Sequence, residues 1–246
     1  MPEVNFYFYA ELNDFLPRKH WQVCFTHSFK ERPSIKDTIE ALGVPHTEVE
    51  AIAVNGKSVD FSYIIQDKDQ INVYPVSQIA NIQNPVSLRS PLPPIKRFVL
   101  DIHLGKLATS LRMLGFDTLY RNDYQDKLLA DISSCEGRIL LTRDRGLLMR
   151  SIVTYGYYVR QTNPQKQLIE VFKRFALKEG VLPLQRCLRC NSLLVPVAKD
   201  SIIDQLLPQV REQVHKFHHC QQCNQVYWQG THYDRMTEFI KSVMSN

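Results

Sequence analysis

Arg97-Phe-Val-Leu-Asp101 and Arg138-Ile-Leu-Leu-Thr-Arg-Asp144-Arg145 decide how this chain is read. Each is an apolar run of strand length that ends on an aspartate, and Ile139 to Leu141 is apolar throughout, as strands buried on both faces are. In an open parallel α/β sheet, ligands sit beyond the carboxyl ends of the strands. Carboxylates gathered there repel one another unless a cation neutralises them. A hard divalent cation takes carboxylate oxygens and keeps positions for water and substrate. Asp101 and Asp144 are therefore candidate ligands of Mg²⁺ or Mn²⁺, with simple turn chemistry as the alternative for each.

The residues around these runs alternate between strand and helix patterns. After Asp101, Leu104, Leu107, Ala108, Leu111 and Leu114 recur at helical spacing, and Gly115 stands where a helix ends. Asp117-Thr-Leu-Tyr120 is a short strand, Asp126 to Cys135 a helix, Gly156-Tyr-Tyr-Val159 a further strand, and Gln165 to Lys178 a further helix. Such alternation predicts a right-handed, parallel, layered α/β sheet. A third carboxylate for the cation is offered by Asp126 or by Asp123, both near the start of the middle helix, where each can also serve as cap or turn residue.

Upstream, residues 1–76 read as a small separate α+β body. Val4–Tyr9 and Trp21–Phe25 are β-rich, Ser34 caps a helix that Gly43 stops, Asn55-Gly56 is a hairpin turn, and Gln70–Tyr74 is the last strand. Residues 77–95, with Pro85, Pro91, Pro93 and Pro94, read as a linker. The sheet domain then spans 96–182, and a cysteine-bearing element spans 183–246.

Apolar content of 44% and charged content of 22% are those of a globular chain. No stretch approaches the apolar length of a membrane span, and the N-terminal residues lack secretory features, so a cytoplasmic setting is expected. Charge is uneven. Residues 1–76 carry 7 basic against 11 acidic side chains, residues 77–182 carry 16 against 9, and residues 183–246 carry 7 against 5. The basic excess accompanies the two strand-end aspartates, as a polyanionic substrate favours, although a solvated basic face explains it equally.

Cys187-Leu-Arg-Cys190 and Cys220-Gln-Gln-Cys223 have the spacing of a structural Zn²⁺ site built from two knuckles. The interval between them is longer than usual and contains Ser201-Ile-Ile-Asp-Gln-Leu-Leu, which reads as an inserted helix. His215, His218 and His219 are substitute ligands that four cysteines make unnecessary. Cys24 and Cys135 read as ordinary buried thiols.

Two resemblances sharpen these readings. Residues 1–76, through the Val-Asn-Gly turn and the closing Asp69-Gln-Ile-Asn-Val-Tyr-Pro75, resemble a ubiquitin-like β-grasp domain of the sulfur-carrier type. The chain runs on past Pro75 without a free Gly-Gly terminus, so a docking or scaffolding role toward a protein partner, not sulfur carriage, is the function this resemblance leaves, with simple structural padding as the alternative. Residues 97 to about 235 resemble the Mut-seven C-terminal RNase family of PIN-like nucleases. The likeness rests on Asp101-Ile-His-Leu-Gly-Lys-Leu-Ala108, Leu111-Arg-Met-Leu-Gly-Phe-Asp117, Asp123-Tyr-Gln-Asp126, Arg138 to Arg145 and the Tyr-Trp-x-Gly-x-His segment near Trp228. It implies an RNA phosphodiesterase that uses metal-activated water, with Asp101, Asp126 and Asp144 as catalytic, metal-binding acids and Asp123 as the additional acid. Lys106, Arg112, Arg143 and Arg145 become the candidate RNA contacts, with ion pairing to the nearby acids as the alternative for Lys106, Arg143 and Arg145, and Trp228 or His232 would stack on RNA or pack the ribbon. The family shows paired acids where this chain has Gln125-Asp126, so one carboxylate is missing. A non-catalytic RNA- or ribosome-binding zinc module is the competing reading.

Overall fold

Alternation builds the first strand. In β1 (Glu3–Phe8), Val4, Phe6 and Phe8 are buried while the residues between them are half-buried, the period of two expected when one sheet face covers a core. The computed structural model describes residues 1–82, 84–183 and 185–244. Two 3-10 turns, Ala10–Phe15 and Arg18–His20, lead into β2 (Phe25–Ser28). The strand expected over 21–25 starts only at Phe25, because side chains hold the preceding residues in a turn. The Trp21 indole N–H donates to the Leu16 carbonyl at 2.9 Å, and Gln22, at φ +52°, donates its N–H to Asn13 Oδ1 at 2.8 Å.

Helix α1 (Ile35–Ala41) begins where Ser34 Oγ accepts the Asp37 N–H at 3.1 Å. It stops at Gly43, whose φ of +99° suits a residue without a side chain. Strands β3 (Ala51–Val54) and β4 (Lys57–Val59) flank Asn55 and Gly56, both at positive φ, as a tight hairpin requires. Strand β5 (Gln70–Tyr74) completes a sheet whose order among the described residues is β2-β1-β5-β3-β4. The β1–β5 pair is parallel and its neighbours antiparallel, with Ile35 and Ile39 of α1 packed into the core of Phe6, Phe8, Ile52 and Val73. The proline-bearing stretch is not bare. The Leu88 N–H bonds the Glu50 carbonyl at 2.9 Å, the Val86 N–H bonds Ser58 Oγ at 2.8 Å, and Leu88 packs on the same core.

The next elements are β6 (Phe98–Leu100), α2 (Gly105–Met113), β7 (Thr118–Leu119), α3 (Asp126–Glu136), β8 (Ile139–Thr142), α4 (Arg145–Leu148), β9 (Gly156–Tyr158) and α5 (Pro164–Arg174). Every residue of β6 and β8 is buried, as the apolar runs required, and β6–β7 and β8–β9 are parallel pairs. Helix α5 is shorter than expected: it ends at Arg174, Ala176 turns to φ +48°, and Leu177–Gly180 is a separate 3-10 turn.

The cysteine-bearing element contains β10 (Val195–Val197), a 3-10 turn over Lys199–Gln205, α6 (Pro208–Gln213), β11 (Phe217–His219), β12 (Val226–Trp228) and α7 (Thr231–Met244). The three strands form an antiparallel sheet in the order β10-β11-β12. The insertion over 201–207 is thus mostly 3-10 turn, and its Ile202 and Leu206 pack with Phe217 and Val226. The chain is mixed α/β, with a β-grasp-like body, parallel strand pairs and a cysteine ribbon. It divides into two compact units: Met1–Pro93 with Gln125–Tyr158, and Pro94–Tyr124 with Val159–Asn246. Among the described residues no helix is long and apolar enough to cross a membrane.

Candidate functional site

Asp126 and Asp144 belong to the first compact unit, Asp101 and Asp123 to the second. Asp101 follows β6 directly, is 7% exposed, and caps the 3-10 turn Ile102–Leu104 by accepting the Ile102 N–H at 2.6 Å. Tyr120 pins that turn, donating its hydroxyl to the Ile102 carbonyl at 3.0 Å. Gly105 makes the approach possible, since a Cβ there would lie 2.7 Å from the Tyr120 hydroxyl oxygen. The sequence reading missed Tyr120, for which pattern carries no signal. On α2, Lys106 is exposed. Asp123 is exposed and held in a two-pronged pair with Arg121, at 2.9 and 2.6 Å, whose hydrogen bond keeps its carboxyl below the usual range.

Asp144 follows β8 and caps α4, its Oδ1 accepting the Leu147 N–H at 3.1 Å while its own N–H donates to Thr142 Oγ1 at 2.9 Å. The carboxylate is exposed, and Gly146 leaves the space beside it clear: a Cβ at that position would lie 3.2 Å from Oδ1. An exposed oxygen donor with an uncrowded flank fits a hard divalent cation. Asp126, the first residue of α3, is also exposed, and the cap residue Gln125 makes no side-chain capping bond. Arg143 is half-buried, and Arg145 is exposed but donates to the Phe15 carbonyl at 2.8 Å.

Arg112 does not face solvent. It is 4% exposed, and its guanidinium donates to four backbone carbonyls: Thr118 at 2.9 Å, Leu188 and Arg189 at 3.0 Å each, and Tyr120 at 3.4 Å. Burial lowers its pKa from the ordinary value, and the nearby thiols of Cys187 and Cys190 act the other way. The expectation of an RNA contact gives way to a tie between α2 and the first cysteine knuckle, because every fork of the side chain is directed at backbone.

Cys187, Cys190, Cys220 and Cys223 have their sulfurs within 4.8 Å of one another, and among the described residues they alone form a group suited to hold a metal. None of the three candidate histidines enters it. Four sulfurs at this spacing fit a closed tetrahedral Zn²⁺ site. Both knuckles are built alike. Cys187 N–H bonds the Ser192 carbonyl and Cys220 N–H the Gln225 carbonyl, while Asn191 and Asn224, each following its Cys-x-x-Cys pair, adopt φ of +70° and +59°. Asparagine tolerates this left-handed region best after glycine, so the repeated Cys-x-x-Cys-Asn is itself a sequence signal for the turn. Burial opposes ionisation of Cys190, yet Ser192 and the neighbouring thiols outweigh it and bring its pKa to about 6. Burial pushes Cys223 up to about 12 and raises Cys220 as well.

Tyr227 is another residue that sequence reasoning missed. Its hydroxyl lies 3.1 Å from Cys187 Sγ and accepts the Leu188 N–H at 3.0 Å. The first knuckle is also fastened to β7: Asn191 Oδ1 accepts the Thr118 N–H at 2.9 Å, and Asn191 Nδ2 donates to Asp117 at 2.8 Å. Trp228 packs against the small ribbon core beside Phe217, and the side chain of His232 lies outside the described residues. Cys24 and Cys135 are exposed, a correction to the buried setting expected for them: Cys24 lies in the turn ahead of β2 and Cys135 on the outer side of α3.

Comparison with known families adds a frame to this geometry. The Mut7-C RNAse domain model matches residues 96–240, and the Mut7-C ubiquitin model matches residues 1–81. No curated protein and no solved structure matches the chain. With more than half its length matched, and with the strand-end aspartates, α2 and the cysteine knuckles all inside that match, the chain belongs to the Mut7-C RNAse domain family and carries a Mut7-C ubiquitin domain ahead of it.

Proposed function

We propose that this protein is a metal-dependent ribonuclease that hydrolyses RNA phosphodiester bonds. The observation that carries the reading is Asp144: an exposed carboxylate at the end of a fully buried strand, capping a helix, with Gly146 leaving its flank clear. Asp101 at the end of β6 and Asp126 at the start of α3 are the other acids of the set, and membership of a family described by its RNase domain supports this use of them. A Mg²⁺ or Mn²⁺ ion held by these acids would supply an activated water and neutralise charge on the phosphate. The chain's own part is to fix Asp101 and Asp144 on short turns and Asp126 at the start of α3, and to offer Lys106 and Arg143 to the phosphate backbone. Asp123, paired with Arg121, is an additional acid only if that exposed pair opens.

Zn²⁺ on Cys187, Cys190, Cys220 and Cys223 serves structure: four protein ligands leave no position for substrate. Four thiols gathered to hold a metal suit a reducing cytoplasm. The ubiquitin-like domain is the part suited to a protein partner. Gln125, where the family resemblance has a second acid, favours a second reading in which the protein binds RNA without cutting it.

Purified protein incubated with labelled single-stranded and structured RNA, in Mg²⁺, Mn²⁺ or EDTA, separates the two. Metal-dependent cutting supports the ribonuclease. Binding without cutting in every metal would leave the RNA-binding module.

A further inference from the structure

The first compact unit joins the ubiquitin-like domain to residues 125–158, the part of the RNase domain that carries Asp144. Among the described residues, two places show how the domain meets that part. Beside Asp144, the Arg145 guanidinium donates to the Phe15 carbonyl at 2.8 Å. Gly43 borders this bond. A Cβ at 43 would lie 3.2 Å from the Phe15 oxygen and 3.7 Å from Arg145 Nη1, so the position leaves room for a side chain from the other domain. Along β9, the 3-10 turn His46–Glu48 is the partner. Glu48, 5% exposed, accepts the Tyr158 N–H at 2.7 Å; His46 Nε2 lies 3.1 Å from the Val153 carbonyl; and Thr47 closes on Gly156, where a Cβ would come within 3.1 Å of it. The Phe15 ring meets Tyr158 edge-on at 5.1 Å, so one short segment of the ubiquitin-like domain touches both places.

Arg145, an RNA-contact candidate in the sequence, is exposed, yet one of its guanidinium nitrogens donates within the protein. It is also the residue immediately after Asp144, at the first position of the four-residue helix that Asp144 caps. A turn this short has few bonds of its own, and its conformation depends on what anchors it.

We infer that Arg145 is a positioning residue, through which the ubiquitin-like domain anchors the turn that presents Asp144. The domain is then a built-in brace of the catalytic turn, not only a surface for other proteins. The inference rests on reading Asp144 as a catalytic acid, while the anchoring itself is independent of that reading.

Two readouts on Arg145→Met test it: steady-state cleavage over a range of salt, and hydrogen exchange across 144–148. A brace predicts a fall in kcat with KM within about twofold, an unchanged salt dependence of KM, and exchange of the Leu147 region about fivefold to tenfold faster, the equivalent of one lost hydrogen bond. Exchange at Ile71 in the ubiquitin-like core stays as in wild type and shows that the fold is intact. Gly43→Ala crowds the Phe15 oxygen without removing the cation, and because φ of +99° also strains the domain, its predicted effect is a rise in exchange at 144–148 larger than the rise at Ile71. Unchanged exchange in both variants, with a raised KM and a log–log salt slope smaller by about 0.7, would overturn the inference and make Arg145 a phosphate contact. If wild type cuts no RNA, the ribonuclease reading fails, and the exchange measurement still decides whether Arg145 anchors the turn.

Discussion

Replacing Arg112 by Met tests the claim that the RNase domain and the zinc ribbon are one structure. Methionine keeps most of the packing volume and removes the donors. Four carbonyls lose a partner: Thr118, in a fully buried bond, and Leu188, Arg189 and Tyr120, in partly buried ones. An unsatisfied buried carbonyl costs about 1–3 kcal/mol, and water can meet part of the loss at the three outer ones. The sum is about 3–5 kcal/mol, within the range for breaking a buried charged network. For a chain of this size that lowers Tm by roughly 6–20 °C. Because two of the carbonyls belong to the Leu188–Arg189 backbone between Cys187 and Cys190, zinc affinity also falls, by about 10- to 100-fold, as it does when outer partners of a metal site are lost. Thermal unfolding of the zinc-loaded protein and competition with a chelator of known affinity measure the two effects. A Tm within about 3 °C of wild type with unchanged zinc affinity would refute the assignment, and a loss confined to RNA affinity would return Arg112 to the RNA-facing set.

Gly115→Ala places a Cβ 2.2 Å from the Leu182 carbonyl oxygen, at a φ of +96° that disfavours any side chain, and should cost at least about 3 kcal/mol in a denaturant titration; an effect under about 1 kcal/mol would mean that the 114–115 and 182 backbones are not in contact. Zinc affinity should fall as pH falls, because Cys220 and Cys223, both raised by burial, hold protons at neutral pH that metal binding must displace. At least two protons released correspond to about a 100-fold change in apparent affinity per pH unit between pH 6 and 8. A slope of one proton or fewer, by chelator competition across that range, contradicts the assignment of those two thiols.

Features written in local chemistry were legible. Asn55-Gly56, the Ser34 cap and the all-apolar run before Asp144 each name their structure through conformational preference or burial alone. The same holds for the four cysteines, whose spacing needs no tertiary information. Features that depend on a distant partner were not. Trp21–Phe25 alternates like a strand, but the Leu16 carbonyl and the Asn13 side chain hold its first residues in a turn. Arg112 has the helical context of a surface cation, and only the arrival of the 188–189 backbone makes it a buried strut. Tyr120 and Tyr227 act through single hydroxyl groups whose acceptors and donors lie 18 and 39 residues away. Asn191 and Asn224 are the instructive middle case, since the repeated asparagine after each Cys-x-x-Cys was readable as a demand for positive φ. For the acids, the sequence located the strand ends but not their turns, in which Gly105, Tyr120 and Gly146 set the space around Asp101 and Asp144.

The most direct test of the ribonuclease account is single-turnover cleavage of labelled RNA in Mn²⁺ by wild type, Asp144→Asn and Asp101→Asn, at protein concentrations that saturate binding in all three. Asparagine preserves the shape and the capping oxygen of each residue and removes the charge that a cation requires. The account predicts equal RNA binding, intact thermal stability to within about 1 kcal/mol, and cleavage slowed on the order of 10³-fold in each variant. Cleavage at the wild-type rate by Asp144→Asn would contradict it, and would move the chemistry away from the end of β8.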